Sequence, residues 1–214
     1  MSTVWLRPEQ SGVGRPGRRS RAEITHAAVH LADREGLDAV TMRRVAAELG
    51  TGAGSLYRYV QNRDELLDLM ADHVAGEYRF GQPSGDWLSD LVDLGLQARG
   101  IYRRHPWLPD RTMTAPGVGP HAADLLEHYL TVLDGHPADD ATKLLAFGAT
   151  NALVAAMARN EQSSARLDRN AEYLAHVAAA GTHPHLTALS APPVGRSDPL
   201  PAILRGVLVG LLPG

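Results

Sequence analysis

The chain has 214 residues, 44% of them hydrophobic and 21% charged, with a net charge of −3 and no cysteine. That is enough apolar material for a sizeable core, in one large domain or in a small domain followed by a larger one. The missing cysteine excludes disulfides, thiolate nucleophiles and sulfur-ligated zinc, so any metal would need His and carboxylate ligands.

Charge is unevenly spread. Between residues 14 and 63 nine arginines stand against five acids, an excess of four positive charges, which leaves the remainder of the chain at −7. A basic N-terminal part joined to an acidic remainder points to a polyanionic partner for the first part. Residues 1–19 are rich in Arg, Gly and Pro and read as a flexible basic arm, neither a signal peptide nor an anchor. The longest apolar stretch, at the C-terminus, is broken by Arg205 and Gly206 and falls short of the ~20 residues that span a bilayer. A cytoplasmic protein without membrane contact is expected.

A first helix is predicted over 20–34, with Ile24, Ala27, Ala28 and Leu31 on one face and Gly36 just past its end. Thr41 precedes a second helix, 42–49, as its cap, although Arg44 stands where a full capping box needs an acid. Gly50 stops that helix, residues 51–54 read as a turn, and a third helix follows over 55–60. Asn62 caps a long fourth helix, from Arg63 to about Arg79, which buries Leu66, Leu67, Met70 and Val74.

Residues 80–85 are the clearest linker. Beyond them the pattern predicts helices at about 86–104, 106–114, 119–135, 138–161, 163–181 and 198–212, with Gly- and Pro-rich loops between several of them. No segment alternates apolar and polar residues with β-branched enrichment, so the fold class is all-α. Three units follow: the arm at 1–19, a small domain at 20–79 and a larger one at 86–214.

Two short helices joined by a Gly-containing turn form a helix-turn-helix when each has an apolar face and the second exposes polar or aromatic groups to a DNA groove. Val45, Ala46, Leu49, Leu56 and Val60 supply the packing, and Gly50 to Gly54 supply the turn. Ser55, Tyr57, Arg58 and Tyr59 are left to face DNA, where Arg can pair with guanine and hydroxyls suit phosphate.

The run from Thr41 to Gly50, then Gly54-Ser55-Leu56-Tyr57-Arg58-Tyr59-Val60, then Asn62-Arg63-Asp64-Glu65-Leu66-Leu67, closely resembles the N-terminal domain of TetR-family regulators. The resemblance extends upstream through Ala32-Asp33-Arg34-Glu35-Gly36-Leu37. It implies a three-helix DNA-binding domain joined by a long fourth helix to a helical domain that binds a small effector and forms the dimer. It further implies a homodimeric repressor acting on a palindromic operator in double-stranded DNA. Position by position, Thr41 and Arg43 would contact phosphate or bases, Gly54, Ser55, Tyr57, Arg58 and Tyr59 would lie on the recognition helix, and Arg63 would clamp a phosphate. Gly52, Ala53 and Gly54 stand where some relatives carry base-reading side chains.

The C-terminal half resembles the tetracycline-repressor type through Trp87 and the helix after it, without a convincing counterpart of the His that binds that drug's metal ion. Leu200, Ile203, Leu204, Val207, Leu208 and Leu211 make the last helix an apolar stripe, and residues 146–158 are rich in small residues; both helices are expected at a dimer seam. Apolar and polar groups that could line an effector pocket are Trp87, Leu91, Leu94, Tyr102, Trp107, Met113, His128, Phe147 and Asn151.

Other chemistry finds little support. His26 and His30 have ligand spacing but lie opposite the first helix's apolar face with no third ligand in sequence. His183-Pro184-His185 reads as a loop, and His121 and His128 with Glu127 make a weak metal set. No phosphate loop, nucleophile elbow or paired-carboxylate helix is found. Neither an enzyme nor a resident metal or cofactor is expected.

Overall fold

A computed structural model of the protein describes residues 4–8, 19–114, 117–161, 164–188 and 198–213, and the regular elements among them are all helical. Helix α1 (Arg21–Glu35) starts where Ser20 Oγ accepts from Glu23 N at 3.0 Å and Glu23 Oε2 accepts from Ser20 N at 2.8 Å. Such a reciprocal cap stabilises a helix start by about 1 kcal/mol. The helix stops at Gly36, whose φ of +83° suits a residue without Cβ. A 3-10 turn leads to α2 (Met42–Glu48), capped by Thr41 Oγ1 accepting from Arg44 N at 3.2 Å.

After Gly50, with φ +64°, comes α3 (Ala53–Leu56), which starts and ends earlier than the expected 55–60. Gly52 supplies the extended cap conformation, so the helix opens within the segment read as a turn. It closes early because Leu56 O accepts from both Tyr59 N and Val60 N, tightening the last turn. Asn62 Oδ1 then accepts from Glu65 N at 2.8 Å and begins α4 (Arg63–Ala75). Ile24, Ala28, Leu31, Val45, Ala46, Leu56, Val60, Leu66 and Met70 are buried together and hold these four helices in one core.

The larger region comprises α5 (Trp87–Arg104), α6 (Leu108–Thr114), α7 (Pro120–Val132), α8 (Asp140–Glu161), α9 (Ser164–Ala179), α10 (Pro184–Ala188) and α11 (Leu200–Leu211). The expected helices recur within about three residues at each end. Around His183-Pro184-His185, however, the expected loop contains α10, which Pro184 opens at a position where a missing N–H costs nothing. Helix α5 packs between α8 and α11, α6 lies on α8, and α7 lies on α4.

By length and composition α8 is apolar enough to cross a membrane, with a mean hydropathy of 1.3, a property overlooked in reading only the C-terminus as the longest apolar stretch. It lies against α5, α6 and α11, burying Ala146, Val154, Ala155 and Ala158. In α11 the apolar stripe divides. Leu200, Leu204 and Leu208 are buried inside the protomer, whereas Ile203 (38% exposed) and Val209 (51%) point outward. Leu204 and Leu208, expected at a dimer seam, are therefore core residues.

Part of the N-terminal arm is ordered. Val4–Leu6 form a 3-10 turn with Val4 buried, Arg7 pairs with Glu65 at 2.6 Å, and Arg21 Nη1 donates to Arg7 O at 2.8 Å. An apolar pair, Val4 and Trp5, gives the segment something to bury. Residues 9–18, with Arg15 and Arg18, lie outside the described residues.

Candidate nucleic-acid interface and ligand cleft

The residues expected to face DNA fall into two groups. Arg43, on α2, and Arg58, just past α3, are exposed and have no hydrogen-bond or ion-pair partner among the described residues. Tyr57, at the end of α3, is 52% exposed, and Gly54 lies open on the same short helix. Thr41, also exposed, has its hydroxyl oxygen engaged as the cap of α2.

The second group is turned to structural use. Arg63, expected to clamp a phosphate, donates through Nε to Val40 O at 2.7 Å and through Nη2 to Leu37 O at 2.8 Å. It ties the α1–α2 connection to the start of α4. Ser55 Oγ donates to Gly52 O at 2.8 Å, stitching the turn before α3. Tyr59 is half-buried and its carbonyl accepts from Arg21 Nε at 3.1 Å. Neighbouring cations are similarly engaged: Arg34 with Glu48 at 2.8 Å, Arg44 with Glu35 at 2.7 Å, and Arg19 with Leu49 O. Arg34 and Glu35 are each held in the charged form, Arg34 raised mainly by its hydrogen bond to Glu48 and Glu35 lowered mainly by its hydrogen bond from Arg44.

In the larger region a narrow cleft, with about 20 Å³ of room for a water-sized molecule, opens between α5, α7 and α8. Of the nine residues proposed from sequence for an effector pocket, Leu91, Leu94, Phe147 and Asn151 border it. The other five lie elsewhere. The Trp87 ring meets His136 edge-on with centroids 4.9 Å apart, and His128 stacks on Phe80 at 4.7 Å. Tyr102 is buried in the core and Met113 is exposed. Trp107 Nε1 donates to Asp33 Oδ1 at 2.7 Å. Tyr78, Leu125, Tyr129, Thr150 and Val154 also border the cleft and were missed. Thr150 and Val154 continue the Phe147 and Asn151 stripe at helical spacing, a signal that the search for aromatic residues passed over.

A polar knot joins the two regions. The His105 ring lies between two carboxylates, with Nδ1 2.8 Å from Asp33 Oδ1 on α1 and Nε2 2.9 Å from Glu77 Oε1 beyond α4. Arg104 also bonds Glu77. Burial raises the Glu77 carboxyl, but the hydrogen bonds from Arg104 and His105 outweigh it, and the group is held below its ordinary value. Nearby, buried Asp72 accepts from Ala122 N at 3.0 Å and faces His121 Nδ1 at 3.0 Å. The exposed His26 and His30 meet each other at 3.1 Å, and no group of three or more metal-ligating side chains is found among the described residues.

Residues 24–70 match the family described as "Bacterial regulatory proteins, tetR family", and residues 81–199, more than half of the chain, match "Tetracyclin repressor-like, C-terminal domain". The chain belongs to the TetR family. It is 44% identical over 126 residues to the HTH-type transcriptional repressor DrrR1 of Streptomyces coeruleorubidus, covering 56% of this chain and 47% of that protein. It is 38% identical over 120 residues to an HTH-type transcriptional regulator of Saccharopolyspora erythraea, covering 56% and 50%. These matches thus span about half the length of the curated relatives. Among solved structures of TetR-family proteins, Streptomyces coelicolor ActR in complex with actinorhodin superposes with a TM-score of 0.82 at 28% identity, over 92% of this chain and 97% of that one. ActR in complex with (S)-DNPA gives 0.79 at 31%, over 92% and 98%.

Proposed function

We propose that this chain is a ligand-responsive transcriptional repressor that binds a palindromic operator in double-stranded DNA as a homodimer. The observation that carries the reading is the pair of exposed arginines, Arg43 and Arg58, which have no partner among the described residues, on a helix-turn-helix that also exposes Tyr57 and whose other described arginines are engaged. Cations without an internal counter-charge suit phosphate and guanine. With α3 only four residues long and Gly52, Ala53 and Gly54 at its start, sequence selectivity rests on Tyr57 and Arg58, and Arg43 and Thr41 position the domain. Such a protein acts where the chromosome is, in the cytoplasm.

The homodimer reading rests on two exposed faces. Leu144, Leu145, Gly148 and Ala152 on α8, with Ile203, Gly206 and Val209 on α11, leave apolar and small side chains in solvent, suited to close helix packing against a second copy. Two recognition helices would then enter major grooves one helical turn or a multiple apart, ~34–36 Å.

The cleft between α5, α7 and α8 is the effector site in this reading, supported by the bound small molecules of both ActR complexes. A ligand that displaces α5 acts on His105 and Trp107 at its far end, and so on Asp33 of α1 and on Glu77. Its differential affinity for two dimer geometries would set how far DNA binding shifts. A gel shift against the upstream region of the gene tests the proposal. Salt-sensitive, sequence-selective binding that is lost in Tyr57→Ala and Arg58→Ala is expected; variants indistinguishable from the parent would sink it. Ile203→Glu with Val209→Glu should yield monomers in sedimentation.

A further inference from the structure

Residues 4–7 join elements that are distant from them in sequence. Val4 is 2% exposed and Trp5 packs beside the core, so apolar burial seats the segment. Arg7 Nη2 reaches Glu65 Oε2 of α4 at 2.6 Å, with the two side chains only 20% and 15% exposed. Glu65 Oε2 also accepts from Gln61 N at 2.8 Å, which holds the carboxylate at the turn between α3 and α4. Arg21 of α1 pins the segment from the other side. Its Nη1 donates to Val4 O at 3.2 Å and to Arg7 O at 2.8 Å, while its Nε donates to Tyr59 O at 3.1 Å. One guanidinium thus ties the N-terminal segment to the turn that ends α3.

Trp5 reaches beyond the DNA-binding domain. A Cβ placed on Gly119, the residue before α7, would lie 2.6 Å from Trp5 Cζ2 and closer still to the carboxyl of Asp72. Gly119 has an ordinary φ of −106°, so the missing side chain serves close approach and not backbone conformation. Asp72, from α4, accepts from Ala122 N at 3.0 Å and so supplies the cap that Gly119 cannot offer to α7. Trp5 lies against the same glycine, at the place where α4 caps α7. The segment therefore touches α4, α7 and, through Arg21, the end of α3. A segment that only brought charge to DNA would need no indole seated against the larger region.

Building on the reading of the chain as a homodimer on a palindromic operator, we infer that residues 4–7 form a strap that fixes α3 relative to the dimer-forming region. Trp5 and Arg7 are then positioning residues, acting through Gly119 and Glu65 and not through DNA. Two recognition helices must enter grooves a set distance apart, and that distance is carried from the dimer seam through α7 and α4 to α3. Each tie at the junction of α4 and α7 narrows the range of spacings that the free dimer samples. Affinity for one spacing falls with the fraction of time spent at it. The strap therefore contributes discrimination between spacings and adds little to the contacts of each half-site.

The test compares the full chain with Trp5→Ala, with Arg7→Ala and with Trp5→Phe, which keeps a ring against Gly119. Each is titrated by fluorescence anisotropy with three duplexes: the palindrome the protein protects upstream of its gene, that palindrome with two base pairs inserted at its centre, and a single half-site. Cutting the strap should lower affinity for the intact palindrome by roughly 3- to 10-fold, as when the fitting geometry is held only about a third to a tenth of the time. Half-site affinity should stay within about twofold of the parent's, so the preference for the intact over the inserted palindrome narrows by at least ~3-fold. Trp5→Phe should retain most of that preference. A loss of stability alone would weaken all three duplexes equally. Hydrogen exchange without DNA should show the amides of Ala122 and Ala123 opening ~10-fold faster or more in Trp5→Ala, with those of α2 near the parent's. Unchanged spacing preference, equal losses on all three duplexes, or unchanged exchange at the start of α7 would each overturn the inference. A parent that binds no palindrome would overturn the regulator reading and the positioning role with it, while the exchange measurement decides separately whether the strap ties α7 to the DNA-binding domain.

Discussion

At the helix-turn-helix end Arg43 and Arg58 stand in solvent, whereas at the cleft Tyr129 and Thr150 are buried, and none of the four side chains has a polar partner among the described residues. The first arrangement costs the free protein little, because water solvates an exposed guanidinium, and it leaves charge available to a polyanion. The second places two hydroxyls beside a largely apolar cleft, where a polar group can bond them. Hence the two ends differ in what would break them: salt and charge removal at one, isosteric loss of a hydroxyl at the other.

The largest effect is expected from Arg43→Ala with Arg58→Ala. A dimer would lose four cations, so operator affinity should fall by ~100-fold or more, and the slope of log affinity against log salt should fall by about 4 if all four meet phosphate. Fluorescence anisotropy across a salt series measures both, and an unchanged slope would show that these arginines read bases or nothing.

Arg63→Ala separates a DNA contact from a scaffold contact. Its guanidinium serves Val40 O and Leu37 O, so its loss should destabilise the fold by about 2–4 kcal/mol, or ~4–16 °C in melting temperature. The salt slope should stay as in the parent. A changed slope with unchanged melting would return Arg63 to the DNA surface.

Gly95→Ala strikes the other end. A Cβ there would come within 2.6 Å of Leu204 Cδ1, at the packing of α5 on α11, and Gly95 also borders the cleft. Overpacking of this kind costs about 1–3 kcal/mol, seen as ~2–12 °C in melting. Operator contacts should stay intact.

The helices and the DNA-facing end were readable from sequence because local rules decide them. Ser20, Thr41 and Asn62 cap as their types prefer, Gly36 and Gly50 take the positive φ that stops a helix, and the faces of α1 and α4 follow the 3.6-residue period. What was not readable depended on partners distant in sequence. Nothing local says that Arg63 reaches carbonyls at positions 37 and 40, or that Trp107 reaches Asp33. The same holds for the cleft. Large aromatic residues drew attention to Trp87, Tyr102 and Trp107, yet a core and a cleft use the same residue types, and only tertiary packing tells that Tyr129 and Thr150 lack partners while Trp107 has one. In α11 the period identified an apolar stripe but not which half of it turns inward.

The smallest effect concerns the knot between the two ends. Glu77 is held below its ordinary value of 4.5 because hydrogen bonds from Arg104 and His105 outweigh its partial burial. A carboxyl with a depressed folded value contributes stability that is fully present above the unfolded value and is lost as pH falls through the folded one. In Glu77→Gln the melting temperature should therefore fall less than the parent's as pH drops below about 4.5. The difference should amount to less than ~1 kcal/mol, since a third of the side chain (34%) stays in solvent. The same variant bears on the comparison of the two ends at neutral pH. Operator affinity without effector should remain near the parent's, while the effect of an effector on operator affinity should shrink, because the ends of α5 and α4 then share one link fewer through His105. Unaltered coupling would place the communication between cleft and DNA surface elsewhere, with His105–Asp33, Trp107–Asp33 and the Asp72 contacts to α7 as bridges that this variant leaves in place.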